Sequence, residues 1–119
     1  MISWLPMAAA RPEKMELLQG TLDMMVLRTL QSGPVNGYEI AKSIERLSES
    51  VLAVDHGSLY PALHRLEKNG LIAGEWQMSA TKRRARFYKL TPAGKKRLVV
   101  ERTKWEHMAA AITRVMQPS

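Results

Sequence analysis

The chain has 119 residues and a formal net charge of +7, because 18 Lys and Arg side chains outnumber 11 Asp and Glu. This length suits a single domain with a modest core, and a hydrophobic content of 45% argues against intrinsic disorder. The chain has no cysteine, which excludes disulfides and thiolate metal sites and favours a cytoplasmic setting. No apolar run reaches the roughly 20 residues that a membrane span needs.

The N-terminal segment, residues 1–13, stands outside the pattern of the rest. Its start, "MISWLPMAAARP", lacks the basic region of a signal peptide, and Ser3 and Pro6 interrupt its apolar stretch. We expect a mobile extension here. One domain follows over residues 14–91, and a C-terminal helix occupies residues 92–119.

Two helices are predicted in the first part of the domain. Apolar side chains recur at helical spacing between about Lys14 and Gln31, before a Gly-Pro stop. The second helix begins at Asn36, which with Glu39 resembles a capping box, and runs to about Leu47. Four of its apolar side chains are predicted on one face: Tyr38, Ala41, Ile44 and Leu47.

A third helix is predicted within "GSLYPALHRLEKNG". Proline is tolerated best in the first turn of a helix, so Pro61 requires a start near Gly57 or Ser58. Asn69 and Gly70 form a C-terminal stop signal. Four apolar side chains fall on the side that should pack inward: Leu59, Ala62, Leu63 and Leu66.

After Gly70 the spacing of the apolar residues changes from helical to alternating. The segments "LIAGEWQMS" and "RARFYKL", joined by "ATKR", predict a two-stranded hairpin with a basic tip. Thr91 as N-cap and Pro92 at the first helical position open a fourth helix that runs to about Met116. The order predicts an α+β, mostly helical fold: a winged helix-turn-helix with a two-stranded wing and a C-terminal dimerisation helix.

The excess positive charge lies in one window. Residues 76–100 hold eight Lys or Arg and no acid, whereas the remainder holds ten bases against eleven acids. A basic patch of this kind favours a polyanion as partner, nucleic acid before an anionic membrane. The bland alternative, a solvated charged loop, does not account for this degree of clustering.

The outward face of the third helix has small residues at its start and hydrogen-bond donors further on. Small residues allow a helix to approach a DNA groove closely, and Arg, Lys, Ser and Tyr can contact bases or phosphates. Taken alone, this face could equally be an ordinary solvated surface. Together with the wing it predicts these DNA-binding residues: Ser58, Tyr60, His64, Arg65, Lys68, Lys82, Arg83, Arg84 and Arg86.

An enzyme is not indicated. The three histidines, His56, His64 and His107, form no metal-ligand pair, and no nucleophile elbow, phosphate-binding loop or dinucleotide fingerprint occurs. We therefore predict no catalytic residue, no metal site and no cofactor.

The last helix carries a coiled-coil-like apolar stripe, which Glu101 interrupts. Its members recur about every seven residues and along the alternate seam: Leu98, Trp105, Met108, Ile112 and Val115. The stripe can pack on the chain's own core or against a second copy. Because it is longer than a small core requires, it favours a homodimer, with Trp105 as an interface anchor. Stacking of Trp105 on a ligand is the less favoured alternative.

Four segments, "ELLQGTLDMMVLRTL", "NGYEIAKSIERLS", "GSLYPALHRLEKNGLI" and "RRARFYKLTPAGKKRL", together resemble the PadR family of transcriptional regulators. The resemblance covers roughly residues 14–100, and the short tail is similar to the branch with one C-terminal helix. It implies a bacterial, dimeric winged-helix protein, usually a repressor, on inverted-repeat operators. It also implies that residues 57–69 are the recognition helix, that Tyr60 contacts the phosphate backbone and that residues 79–86 form the wing. Nothing in the tail matches an effector pocket, so a small-molecule effector stays unknown.

Two function classes therefore compete. The first is a sequence-specific regulator, most readily a repressor, that binds double-stranded DNA as a homodimer. The second is a winged-helix adaptor whose basic patch meets an acidic protein partner. A small hydrolase or ligand-only sensor is a third class, which the missing motifs disfavour.

Overall fold

The computed structural model describes residues 19–118, so the predicted N-terminal extension and the beginning of the first predicted helix lie outside the described residues. It contains four helices and three strands within that range. In chain order they are α1 (Gln19–Thr29), β1 (Val35–Asn36), α2 (Gly37–Leu47), α3 (His56–Lys68), β2 (Ile72–Met78), β3 (Arg84–Leu90) and α4 (Pro92–Met116). The predicted fold class, a winged helix-turn-helix, is confirmed.

Side-chain caps begin three of the helices. The Glu39 amide donates to Asn36 Oδ1 at 2.9 Å, and the Gly94 amide donates to Thr91 Oγ1 at 3.0 Å, as the sequence predicts. α3 begins at His56, slightly before the predicted start, because Asp55 is its cap and accepts from the Ser58 amide at 2.8 Å.

The core lies where α1, α2 and α3 meet the base of the hairpin. All four inward residues predicted for α3 are buried. On α2 the prediction is wrong in part: Ile40, Ala41 and Ile44 are buried, but Tyr38 and Leu47 are 55% and 54% exposed. Steps of three residues drift around a helix of 3.6 residues per turn, so positions nine apart fall on opposite sides.

The sheet has one strand more than the sequence predicts. β2 and β3 form the antiparallel hairpin, in a register that pairs Ile72 with Leu90. The two-residue strand β1 adds to the other edge of β3, with Val35 opposite Tyr88. Two residues cannot display an alternating pattern, which is why β1 was missed. Its pairing attaches the wing directly to the start of α2.

α4 is joined closely to the end of α3. Thr91 Oγ1 donates to the Gly70 carbonyl at 2.7 Å, and the Thr91 amide donates to the Leu71 carbonyl at 3.2 Å. Gly94 faces the same turn, and a Cβ at this position would overlap the Leu71 carbonyl oxygen. Within residues 19–118 no helix combines the length and apolarity needed to cross a bilayer.

We expect Gly94→Ala to destabilise the fold by about 1–3 kcal/mol, because the added methyl group meets backbone that cannot move aside. Chemical denaturation measures the change in the free energy of unfolding. Gly20→Ala is the matched control, since a Cβ there meets nothing within 4 Å and should stabilise α1 by about 0.5–1 kcal/mol. Equal effects of the two substitutions would contradict this packing.

Candidate nucleic-acid interface

α3 presents a polar face to solvent. Four of its five predicted DNA-binding side chains are exposed: Ser58, Tyr60, His64 and Lys68. The buried residues on the opposite side fix the rotation of α3, and the Asp55 cap fixes its start. This face is therefore a preformed surface with hydroxyl, imidazole and ammonium groups along about three turns of helix.

Arg65 differs from these four residues because it is engaged within the chain. Its Nη2 donates to Asp23 Oδ1 on α1 at 2.8 Å, and both side chains are partly buried. Among the described residues no acceptor faces its buried Nε. Arg65 thus ties α3 to α1, a contact that joins residues 42 positions apart and left no signal in the sequence.

The tip of the wing is a compact turn that displays cations. The Ser79 amide donates to the Arg83 carbonyl at 2.8 Å, and the Lys82 amide donates to the Ser79 carbonyl at 2.9 Å. Lys82 has a φ of 63°, in the left-handed region. Lys82, Arg83 and Arg84 are all exposed, and the Arg84 guanidinium lies 5.1 Å from the Trp76 ring centroid. The turn keeps three cations at one end of the hairpin.

Arg86, the fourth predicted wing cation, points toward α3 instead. Its Nη2 donates to Glu67 Oε2 at 2.5 Å, and the hydrogen bond to Glu67 raises the pKa of Arg86. The guanidinium also lies 5.8 Å from the ring centroids of both Trp76 and Tyr88. Neither Glu67 nor Trp76 was predicted as a site residue, because a single acid on a helix or a single aromatic residue on a strand gives no sign of its tertiary partner.

An aromatic stack bridges the starts of α2 and α3. The His56 ring lies between Tyr38 and Tyr60, with centroid distances of 6.4 Å and 5.5 Å. Lys42 Nζ donates to the Tyr38 hydroxyl at 3.3 Å, and this hydrogen bond raises the pKa of Lys42. Tyr60 therefore belongs to a group of exposed side chains on both helices. None of its other members was predicted to bind DNA, and Tyr38 was predicted on the apolar face of α2 instead.

The predicted dimer stripe on α4 divides into two parts. Leu98 is only 2% exposed and belongs to the chain's own core. The other four members are 45–79% exposed: Trp105, Met108, Ile112 and Val115. Beside them, a cleft of about 430 Å³ separates α4 from the N-terminal end of α1. Its apolar lining comes mainly from Met24, Trp105 and Met108.

A helix-turn-helix followed by a basic hairpin is the architecture of winged-helix DNA-binding domains. Residues 26–100 match the model of the Transcriptional regulator PadR-like family, and the chain belongs to this family. The resemblance that the sequence motifs indicate is thereby confirmed. The family comprises DNA-binding transcriptional regulators, not enzymes, which also confirms the non-enzyme prediction.

Two curated relatives carry regulator names. "Transcriptional regulator Rv3488" of Mycobacterium tuberculosis is 40% identical over 68 residues, which are 57% of this chain and 63% of that protein. "Negative transcriptional regulator PadR" of Bacillus subtilis is 29% identical over 77 residues, which are 65% of this chain and 42% of that protein. Each match spans less than two thirds of the relative's own length.

Solved structures match over nearly their whole length. A transcriptional regulator from Clostridium thermocellum superposes with a TM-score of 0.75 at 32% identity, covering 83% of this chain and 96% of the other. A PadR-like transcriptional regulator from Bacillus cereus gives a TM-score of 0.73 at 25% identity, covering 86% and 97%. The similarity extends beyond residues 26–100 of the family match.

Proposed function

We propose that the protein is a sequence-specific regulator of transcription that binds double-stranded DNA in the cytoplasm, as a homodimer on an inverted-repeat operator. The observation that carries this proposal is the contact between Arg86 of the wing and Glu67 of α3. It supports a single surface on which the exposed polar face of α3 lies beside a hairpin with three cations at its tip.

On this surface α3 is the recognition helix and enters the major groove. Ser58, His64 and Lys68 face the base edges and the nearest phosphates, and the Tyr60 hydroxyl donates to a phosphate. The wing tip neutralises phosphates of the flanking backbone, which releases counterions and makes binding dependent on salt. Arg65 orients α3 through Asp23, so it reads bases only if that ion pair opens.

The homodimer is supported by the exposed apolar side chains on α4. A helix that shows Trp105, Met108 and Ile112 to water is expected to bury them against another surface. We assign that surface to the same helix of a second copy. The two recognition helices would then enter successive major grooves about 34 Å apart, the length of one DNA turn.

Repression is the sign of regulation that we propose, acting by steric exclusion of RNA polymerase from an occupied operator. The support is the similarity to a Bacillus subtilis protein that is named a negative regulator.

Selection of bound fragments from the source genome tests the proposed function, with the solution mass measured in parallel. We expect enrichment of fragments that share an inverted repeat, and a mass twice the chain mass of 13.4 kDa. An adaptor for an acidic protein would instead retard DNA fragments without sequence preference, so the absence of enrichment would favour that alternative.

A narrower prediction concerns His64. His64→Ala should weaken binding to the selected operator by about 1–3 kcal/mol, the range for one lost base contact, and leave random-sequence DNA unaffected. Fluorescence anisotropy with both duplexes measures the difference. His107→Ala on the exposed part of α4 is the matched control and should change neither affinity. Equal losses on both duplexes would rule out base reading by His64.

A further inference from the structure

Arg86 is a wing cation that pairs with an acid of α3 and is only partly exposed, unlike the three cations at the wing tip. We propose that Arg86 is a positioning residue, which fixes the wing against the recognition helix through Glu67 and contacts no phosphate itself. This inference rests on the proposed function, because it states how the DNA-binding surface keeps its shape. It also separates Arg86 from the wing-tip cations with which the sequence groups it.

The Arg86 guanidinium is surrounded by partners from its own chain. Glu67 accepts from Nη2 at 2.5 Å, and the rings of Trp76 and Tyr88 flank the group. Both members of the ion pair are only partly exposed, at 31% for Arg86 and 33% for Glu67. A planar, delocalised guanidinium fits between these groups, since it can pair with a carboxylate and stack on aromatic rings at the same time.

Gly74 provides the space that the Arg86 guanidinium occupies. In the hairpin, Trp76 is opposite Arg86 and Gly74 is opposite Tyr88, so the Arg86 side chain crosses diagonally over Gly74. A Cβ at position 74 would lie 2.7 Å from Nε and 2.8 Å from Nη2 of Arg86. The missing side chain therefore lets the guanidinium lie close to β2 on its way to Glu67.

Arg84, two residues earlier on the same strand, is the natural comparison. It stacks on Trp76 but has no acidic partner among the described residues, and its side chain is exposed. Its charge is available to a phosphate, whereas the charge of Arg86 is compensated by Glu67. The two arginines on one face of β3 thus have separate roles, with Arg84 facing DNA and Arg86 facing the protein.

Glu67 lies close to the predicted DNA-binding residues of α3, so its pairing with Arg86 affects DNA binding. It lies on α3 next to Lys68 and one turn after His64, so an unpaired carboxylate there would repel the DNA backbone. Pairing removes that repulsion and holds the wing at one angle to α3. A wing that is already fixed loses less conformational freedom on binding, which favours duplexes that fit both elements together.

The test compares Gly74→Ala and Glu67→Gln with Arg84→Ala, using two duplexes: a fragment selected by the wild-type protein and a shuffled fragment of the same composition. Gly74→Ala changes no charge and displaces only the movable end of a side chain. We expect it to lower the ratio of selected to shuffled affinity about tenfold, with the salt slope on shuffled DNA unchanged. Arg84→Ala should instead lower that slope by about 0.9 on both duplexes.

Glu67→Gln separates positioning from simple repulsion. Loss of an acid near DNA should strengthen binding to every duplex if Glu67 acts only by its charge. Positioning predicts opposite directions: weaker binding to the selected fragment, and unchanged or stronger binding to the shuffled one. Thermal denaturation of both variants verifies that they are folded at the assay temperature.

Two results would overturn the role of Arg86. One is wild-type discrimination in both Gly74→Ala and Glu67→Gln. The other is a loss of about one unit of salt slope on shuffled DNA in Arg86→Gln, equal to that of Arg84→Ala, which would make Arg86 a phosphate contact. Failure of the proposed function looks different, because the wild-type protein would then bind both fragments equally or not at all.

Discussion

Replacement of Lys82, Arg83 and Arg84 together by Ala is expected to weaken binding to every duplex and to flatten its dependence on salt. Each neutralised phosphate contributes about 0.9 to the slope of log affinity against log salt, so three lost contacts should lower the slope by about 2.7. The fold should be unaffected, since all three side chains are exposed at the end of the hairpin. Titrations at several salt concentrations measure the slope.

The chain offers a matched control for this wing variant. Lys95, Lys96 and Arg97 are also exposed and belong to the same acid-free window, but they lie on the first turns of α4. Their joint replacement by Ala removes the same net charge from a different surface. We expect a smaller change of slope from this triple variant. An equal change would mean that binding depends on overall charge and not on the wing as a phosphate clamp.

The comparison is informative because the eight cations of residues 76–100 have different surroundings in the structure. Of these eight cations, Arg86 is paired with Glu67, and three lie on α4. The tip holds Lys82, Arg83 and Arg84 in a turn closed by backbone hydrogen bonds. Net charge therefore indicated the type of partner correctly, whereas the distribution of contacts among these cations depends on tertiary pairs.

Local signals in the sequence were sufficient for most of the fold. The caps at Asn36 and Thr91 and the inward face of α3 depend on residues within a few positions of one another, and all are observed. The wing hairpin also follows from a local change of period. Such features can be predicted from one sequence, because helix caps, helical faces and strands each require particular residue types at fixed spacings along the chain.

Long-range features could not be predicted in the same way. Asp23 and Arg65 are 42 residues apart, and Glu67 and Arg86 are 19 apart, so neither pair shows a periodic spacing. Each pair engages one of the predicted DNA-binding arginines, Arg65 or Arg86, with an acid of the same chain. They hold α3 from two sides, toward α1 and toward the wing, and the sequence indicated neither contact.

Ile112→Glu should have the largest effect on operator binding without loss of the fold. Ile112 is 53% exposed within one chain, so a carboxylate there is hydrated in the monomer. In the proposed dimer it would be buried among apolar side chains, and two-fold symmetry would place it there twice. We expect dissociation to the single-chain mass of 13.4 kDa, measured by light scattering.

Loss of the dimer should carry over to DNA, because binding of the second half-site is then no longer intramolecular. Linked sites gain about 10²- to 10⁴-fold in affinity over one site, and operator binding by Ile112→Glu should fall by a factor in that range. Ala110→Glu adds the same charge to an exposed position on the opposite side of α4, and it should leave mass and affinity unchanged. A dimer that persists in Ile112→Glu would place the interface elsewhere, while equal dissociation of both variants would indicate general repulsion between helices. Only selective loss in Ile112→Glu fits an interface formed by the apolar side of α4, because only that side becomes dry when two copies meet.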